Sequence, residues 1–198
     1  MSKISLFKIC LFFPLAFHQC QRSNESSNIE TLTPLLLIGA AGYFATSPFD
    51  EYAEKNIDLT RFTGSWKEMQ RINNGFQSGL SDVMATYTAR SDGSIGVRNE
   101  GINATGNQVV LEGIALVPSP ERGLLKVSFT FPFFFGDFII LRIDRQNYQT
   151  ALIGGPTPNF LWIFSRNDTI DTALQNGYIE YAKGLGYNTS SLARFRTK

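Results

Sequence analysis

Residues 58–69 read Asp58-Leu59-Thr60-Arg61-Phe62-Thr63-Gly64-Ser65-Trp66-Lys67-Glu68-Met69. They lead into the first of eight short segments rich in Val, Ile, Thr, Phe and Tyr, near 64–73, 81–90, 93–103, 107–117, 122–130, 137–144, 148–155 and 159–166. Turn residues separate the segments: Asn74-Gly75, Ser91-Asp92-Gly93, Thr105-Gly106-Asn107, Pro118-Ser119-Pro120 and Gly155-Pro156. Segments of this composition and length, punctuated in this way, are strands joined by hairpin turns. The connections are too short to hold a helix, so each strand runs antiparallel to the next.

The eighth segment ends Phe160-Leu161-Trp162-Ile163-Phe164-Ser165-Arg166. Beyond it, Ile170, Leu174, Tyr178, Tyr181 and Leu185 fall at steps of three and four, with Asp168 or Asp171 as a cap and Gly184 and Gly186 to end the run. That spacing predicts one amphipathic helix. Eight meandering strands can form a sandwich or a closed barrel; closure removes both exposed edges, and eight strands enclose one small ligand. The expected fold is all-β: an eight-stranded antiparallel up-and-down β-barrel over residues 58–198, with a C-terminal α-helix packed on it.

The pairing of Gly64-Ser65-Trp66 at the start of the first strand with Arg166 at the end of the eighth resembles the lipocalin signature. Ala85-Thr86-Tyr87, Leu125-Lys126-Val127-Ser128-Phe129 and Leu161–Arg166 look most like the bacterial outer-membrane lipocalin lipoproteins and their apolipoprotein D-like relatives. The resemblance implies that Gly64, Trp66 and Arg166 meet at the closed floor, where the guanidinium covers the indole. A cation over an indole face contributes ~0.5–2 kcal/mol, so these residues are structural. The family's middle motif, Thr-Asp-Tyr, survives in Ile143-Asp144-Arg145-Gln146-Asn147-Tyr148 only through Asp144.

Alternation along a strand assigns the cup, with Trp66 as the inward anchor. Strand one then turns Glu68 and Gln70 inward, and strand two Val83, Ala85, Tyr87 and Ala89. The fifth strand offers Leu125, Val127 and Phe129, the sixth Phe138, Ile140 and Arg142, the seventh Ala151 and Ile153, and the eighth Phe160, Trp162 and Phe164. This lining suits acyl chains or planar apolar molecules. Glu68 and Arg142 are expected either to pair with each other or to orient a ligand carboxylate or phosphate, because a lone charge in an apolar cup is costly. The link Phe131-Pro132-Phe133-Phe134-Phe135-Gly136 is expected at the open end, as a lid or as a membrane-touching lip.

Residues 1–19 read as an export signal: a weakly basic start, an apolar run from Ile9 to Phe17, and a polar break. Cys20 follows Phe17-His18-Gln19 in a loose likeness of a bacterial lipobox, which makes its thiol the expected lipid attachment site. Residues 20–57 form an N-terminal linker containing a short apolar segment, near 33–47, whose role the sequence leaves open. Roughly 38 residues would separate the anchor from the barrel, a flexible reach of ~30–37 Å. Four Asn-X-Ser/Thr sites, at Asn24, Asn103, Asn167 and Asn188, suit the alternative of a secreted protein.

Once the signal is removed, 16 basic and 17 acidic side chains remain, which leaves no footprint for nucleic acid. The only histidine is His18 and the only cysteines are Cys10 and Cys20, so the barrel lacks the residues of Ser-His-Asp or Cys-His catalysis and of His or Cys metal sites. Neither cofactor nor enzymatic activity is expected. The expected function is to bind and carry or store small apolar ligands, such as fatty acids or lysophospholipids, in the cell envelope. The outer membrane is the expected location, and a homodimer is left open. The rival reading is a structural or adhesive surface lipoprotein whose barrel is filled by its own side chains.

Overall fold

A computed structural model describes residues 46–197 of the chain. The eight segments form strands β1 (Gly64–Ile72), β2 (Ser81–Ala89), β3 (Ile95–Ile102), β4 (Gln108–Leu116), β5 (Leu124–Ser128), β6 (Gly136–Ile143), β7 (Thr150–Gly154) and β8 (Leu161–Ser165). Each pairs antiparallel with the next, and β1 pairs with both β2 and β8, which closes the barrel. A short helix α1 (Leu59–Phe62) precedes β1, and helix α2 (Thr172–Gly184) follows β8. Asp171 caps α2 by accepting the Leu174 N–H.

A two-residue strand, β9 (Leu192–Ala193), was not expected from the sequence. β1 pairs with β2 only from Gly64 to Lys67; higher up, the side vacated by β2 is taken by β9, opposite Arg71 and Ile72. The Asp82 N–H donates to the Phe195 carbonyl, and Thr197 donates to the Asp82 carboxylate through its N–H and its hydroxyl, at 3.0 and 2.6 Å. The C-terminal tail thus wedges the seam between β1 and β2.

Two apolar layers result from strand alternation. Inside the barrel lie Trp66, Ala85, Tyr87, Val97, Leu125, Ile140, Ile153, Trp162 and Phe164 with their neighbours. Outside the wall, Met69, Ile72, Ile139, Leu141, Leu152, Leu161 and Ile163 pack beneath Tyr178 and Ala182 of α2 and beneath Phe49 and Ala53.

Candidate functional site

The barrel has a floor and a mouth. At the floor, the Arg166 guanidinium lies 4.0 Å over the Trp66 ring and donates to the carbonyls of Ser65, Arg61, Phe62, Thr63 and Tyr148. Burial lowers its pKa. Gly64 has φ +95°, a conformation that favours glycine, and a Cβ there would stand 3.1 Å from Arg166 Nη1 and crowd the guanidinium. The Trp66 indole N–H donates to the Phe62 carbonyl at 2.8 Å, fastening α1 across the floor. Asp144 accepts from the Gln146 and Asn147 N–H groups and so shapes the β6–β7 turn. Gly64, Trp66 and Arg166 thus meet at the floor, with the guanidinium over the indole.

Above the floor the rings of Phe62, Trp66, Tyr87, Phe138 and Phe164 form one tier, with neighbouring centroids 5.1–6.4 Å apart. Phe76, Phe129, Phe160 and Trp162 form a second tier nearer the mouth. Of the residues assigned to the cup, Ala85, Tyr87, Leu125, Ile140, Ile153 and Trp162 are buried in this interior, and Val127, Phe129, Phe138 and Phe160 pack against it. Val83 is buried and borders a small cavity at the mouth. The cup is therefore aromatic and aliphatic, and in this state it is closed.

Two bulges revise the charged residues. Between Ile140 and Arg142 the β6–β7 register shifts, so that Arg142 pairs with Leu152 of the outer layer while Ile143 takes the inward place opposite Ala151. Arg142 accordingly faces out. It stacks 3.7 Å over the Tyr181 ring and lies 3.5 Å from Glu54, reaching neither Glu68 nor the interior. In β1 the register shifts between Glu68 and Gln70, which turns Gln70 outward beside Ile163 and brings Arg71 inward beside Trp162.

Arg71 is the interior cation that alternation missed. Completely buried, it ion-pairs with Glu68 through Nη1 and donates from Nη2 to the carbonyls of Gln77 and Leu80, at 2.9 and 2.7 Å. Burial raises the Glu68 pKa, while the charge and hydrogen bond of Arg71 oppose the rise. The two carbonyls belong to the β1–β2 loop, residues 73–80, which folds over the mouth. Its Gln77 side chain donates to Glu68 at 3.0 Å and accepts from the Trp162 indole and from Asn74. Glu68, Arg71, Gln77 and Trp162 thus form one polar plug beneath a lid. Asn-Gly at 74–75 marked this loop as a turn, but nothing in it signalled that Gln77 points inward.

The lid leaves a cavity of about 90 Å³ bordered by Phe76, Gln77, Leu80, Val83, Asn99 and Leu111. A larger groove, about 260 Å³, lies on the outer wall along the seam, where Lys67, Asp82, Met84, Glu100 and Arg196 meet. Seven large hydrophobic residues are exposed among those described, and five of them, Phe76, Val109, Val110, Phe131 and Phe134, belong to the open end. The β5–β6 link is therefore part of an apolar rim, while residues 73–80 form the lid. Cys20 lies outside the described residues. Among the described residues no cluster of His, Cys, Asp and Glu is placed to hold a metal ion.

Residues 57–197 match the family model of the lipocalin-like domain. The chain is 37% identical over 139 residues to the outer membrane lipoprotein Blc of Vibrio cholerae, covering 69% of this chain and 81% of that one. It is 35% identical over 167 residues to the protein of the same name from Escherichia coli K12, covering 80% and 93%. Among solved structures, insecticyanin from the tobacco hornworm superposes with a TM-score of 0.58 at 14% identity, over 74% of this chain and 84% of that one. With its floor signature, closed eight-stranded barrel and following helix, the chain belongs to the lipocalin family, whose members bind small hydrophobic ligands.

Proposed function

We propose that this protein binds and carries or stores a single-chain lipid, of the fatty-acid or lysophospholipid class or similar, in the cell envelope. The observation that carries the reading is the concentration of exposed apolar side chains around the mouth: five of seven among the described residues. Exposed apolar residues gathered at one place mark a contact with lipid or with a partner. Behind that rim, the inward faces of the strands are apolar except for the Glu68–Arg71 pair, Asn99, the Tyr87 hydroxyl and the indole N–H groups of Trp66 and Trp162. Ligand enters by lifting residues 73–80, and burial of its chain supplies the affinity. The reading assigns no catalysis.

The proposal includes export, anchoring to the outer membrane through an acylated Cys20, and transfer of ligand at the Phe131–Phe135 rim. Relatives named outer membrane lipoproteins support the anchoring, and exposure of Phe131 and Phe134 supports the rim. Labelled palmitate should be incorporated into the full chain and lost in Cys20→Ser; equal labelling of both would overturn the anchor.

One observation favours the rival reading, a barrel filled by its own side chains: the two tiers of rings pack against one another in the closed state. Native mass spectrometry separates the two. The carrier reading expects a lipid-sized adduct on the protein purified from envelopes, removed by solvent extraction and restored by added palmitate or lysophosphatidylcholine. A protein that never shows an adduct and binds no added lipid is the self-filled barrel.

A further inference from the structure

We infer that the cavity between Asn99 and the lid takes an uncharged head group that hydrogen-bonds to Asn99, so that the barrel prefers neutral single-chain lipids to anionic ones. The inference rests on the carrier reading and narrows its ligand class.

Interior charge is the first argument. The strand positions that face inward carry two charged side chains, Glu68 and Arg71, and these are paired with each other. Arg71 is committed further, with Nη2 donating to two lid carbonyls and its face covered by the Phe195 ring at 3.8 Å. Among the described residues the charge of the one interior cation is already balanced by Glu68, with only its Nε–H left without an acceptor, so a carboxylate or phosphate would lie inside without a counter-charge of its own, which is strongly disfavoured. Arg142, which could have supplied the charge, stands on the outer wall.

The second argument is an orphaned acceptor. Asn99 of β3 pairs with Ala85 and with Leu111, which places it on the inward face, and its Oδ1 is buried without a hydrogen-bond partner. A buried amide oxygen left unpaired costs ~1–3 kcal/mol, which a ligand hydroxyl or amide N–H recovers once the lid lifts and Asn99, at the cavity's border, is uncovered. The neighbouring Gln77 amide does not serve it: its oxygen accepts from Trp162 and Asn74, and its nitrogen is turned toward Glu68, to which it donates.

Size and lining agree. At about 90 Å³ the cavity admits several water-sized groups, which suits a glyceryl or hydroxyl head and falls far short of the ~300–1,000 Å³ of a pocket for a whole ligand. Phe76 and Leu80 of the lid and Val83 and Leu111 of the wall are left for the chain, while the one charged residue at the border, Glu100, is engaged by Arg98 and Gln108.

The test is displacement of an environment-sensitive apolar dye from the full-length protein by three ligands of equal chain length: monopalmitoylglycerol, palmitate and lysophosphatidylglycerol. At neutral pH, monopalmitoylglycerol should displace the dye at about tenfold lower concentration than either anion. Palmitate should gain on it near pH 5 as its carboxyl takes up a proton. Asn99→Leu should still bind dye and should reduce the preference to within about threefold. The wild-type comparison decides the matter even if that variant does not fold. Anions that displace as well as the neutral lipid overturn the head-group assignment and leave carriage standing. A protein that binds neither dye nor lipid overturns carriage itself, and the head-group assignment with it.

Discussion

The guanidinium of Arg71 lies 3.8 Å over the ring of Phe195, and this contact joins the tail of the chain to the lid over the barrel. At its edge the same guanidinium holds Glu68 and two lid carbonyls. Lid, interior charge pair and seam therefore form one connected unit.

Phe195→Ala should loosen the lid without touching it. Loss of the stacked ring removes ~0.5–2 kcal/mol. Amides of residues 73–80 should then exchange with deuterium faster than those of the β6–β7 turn. Unchanged exchange in the lid would show that Arg71 does not need its cover.

Glu68→Gln leaves a buried guanidinium without its counter-charge and should cost about 3–5 kcal/mol in denaturant unfolding. Replacing Glu68 and Arg71 together by Met removes both charges and should cost much less. If the double variant is as unstable as the single one, the charge pair is not the source of the loss.

Arg71→Met should make stability fall as pH rises. Burial alone raises the Glu68 pKa, and Arg71 supplies the two largest opposing influences. Without them the folded state holds the Glu68 proton more tightly than the unfolded chain does. Stability from that proton is complete below the ordinary glutamate range and is lost as pH climbs to the folded value, by up to ~1.4 kcal/mol per pH unit. Unfolding at about pH 5 and pH 8 checks the slope, and a variant equally stable at both contradicts it.

Arg142→Ala should lower stability by no more than ~1 kcal/mol and leave dye affinity unchanged, because its ion pair and ring contact lie on the half-exposed outer wall. A marked loss of ligand binding would return Arg142 to the site.

Gly64→Ala should cost ~1–3 kcal/mol, since it strains a left-handed backbone and presses a methyl group on Arg166. A thermal melt indistinguishable from wild type would show that the floor relaxes around it.

Strand number, order and floor were legible because turn residues punctuate the chain and because Gly64, Trp66 and Arg166 occupy the two ends of the pattern. The cup was legible only as far as strict alternation holds. A bulge adds one residue and reverses every side chain beyond it, which moved Arg142 out and Arg71 in. A trace of each bulge is present: Ile140 and Ile143 are both interior at a spacing of three, and Met69 and Ile72 are both in the outer layer at the same spacing. The inward turn of Gln77 and the tail strand left no such trace, since both depend on contacts between distant parts of the chain.

The grip of Thr197 on Asp82 bears on how the protein can be handled. Anything joined after residue 197 departs from the barrel wall beside the β1–β2 seam, so an affinity tag placed there pulls on the closure it is meant to report. The exposed β3–β4 hairpin tip, Asn103–Asn107, lies away from that joint and offers a gentler place for a label.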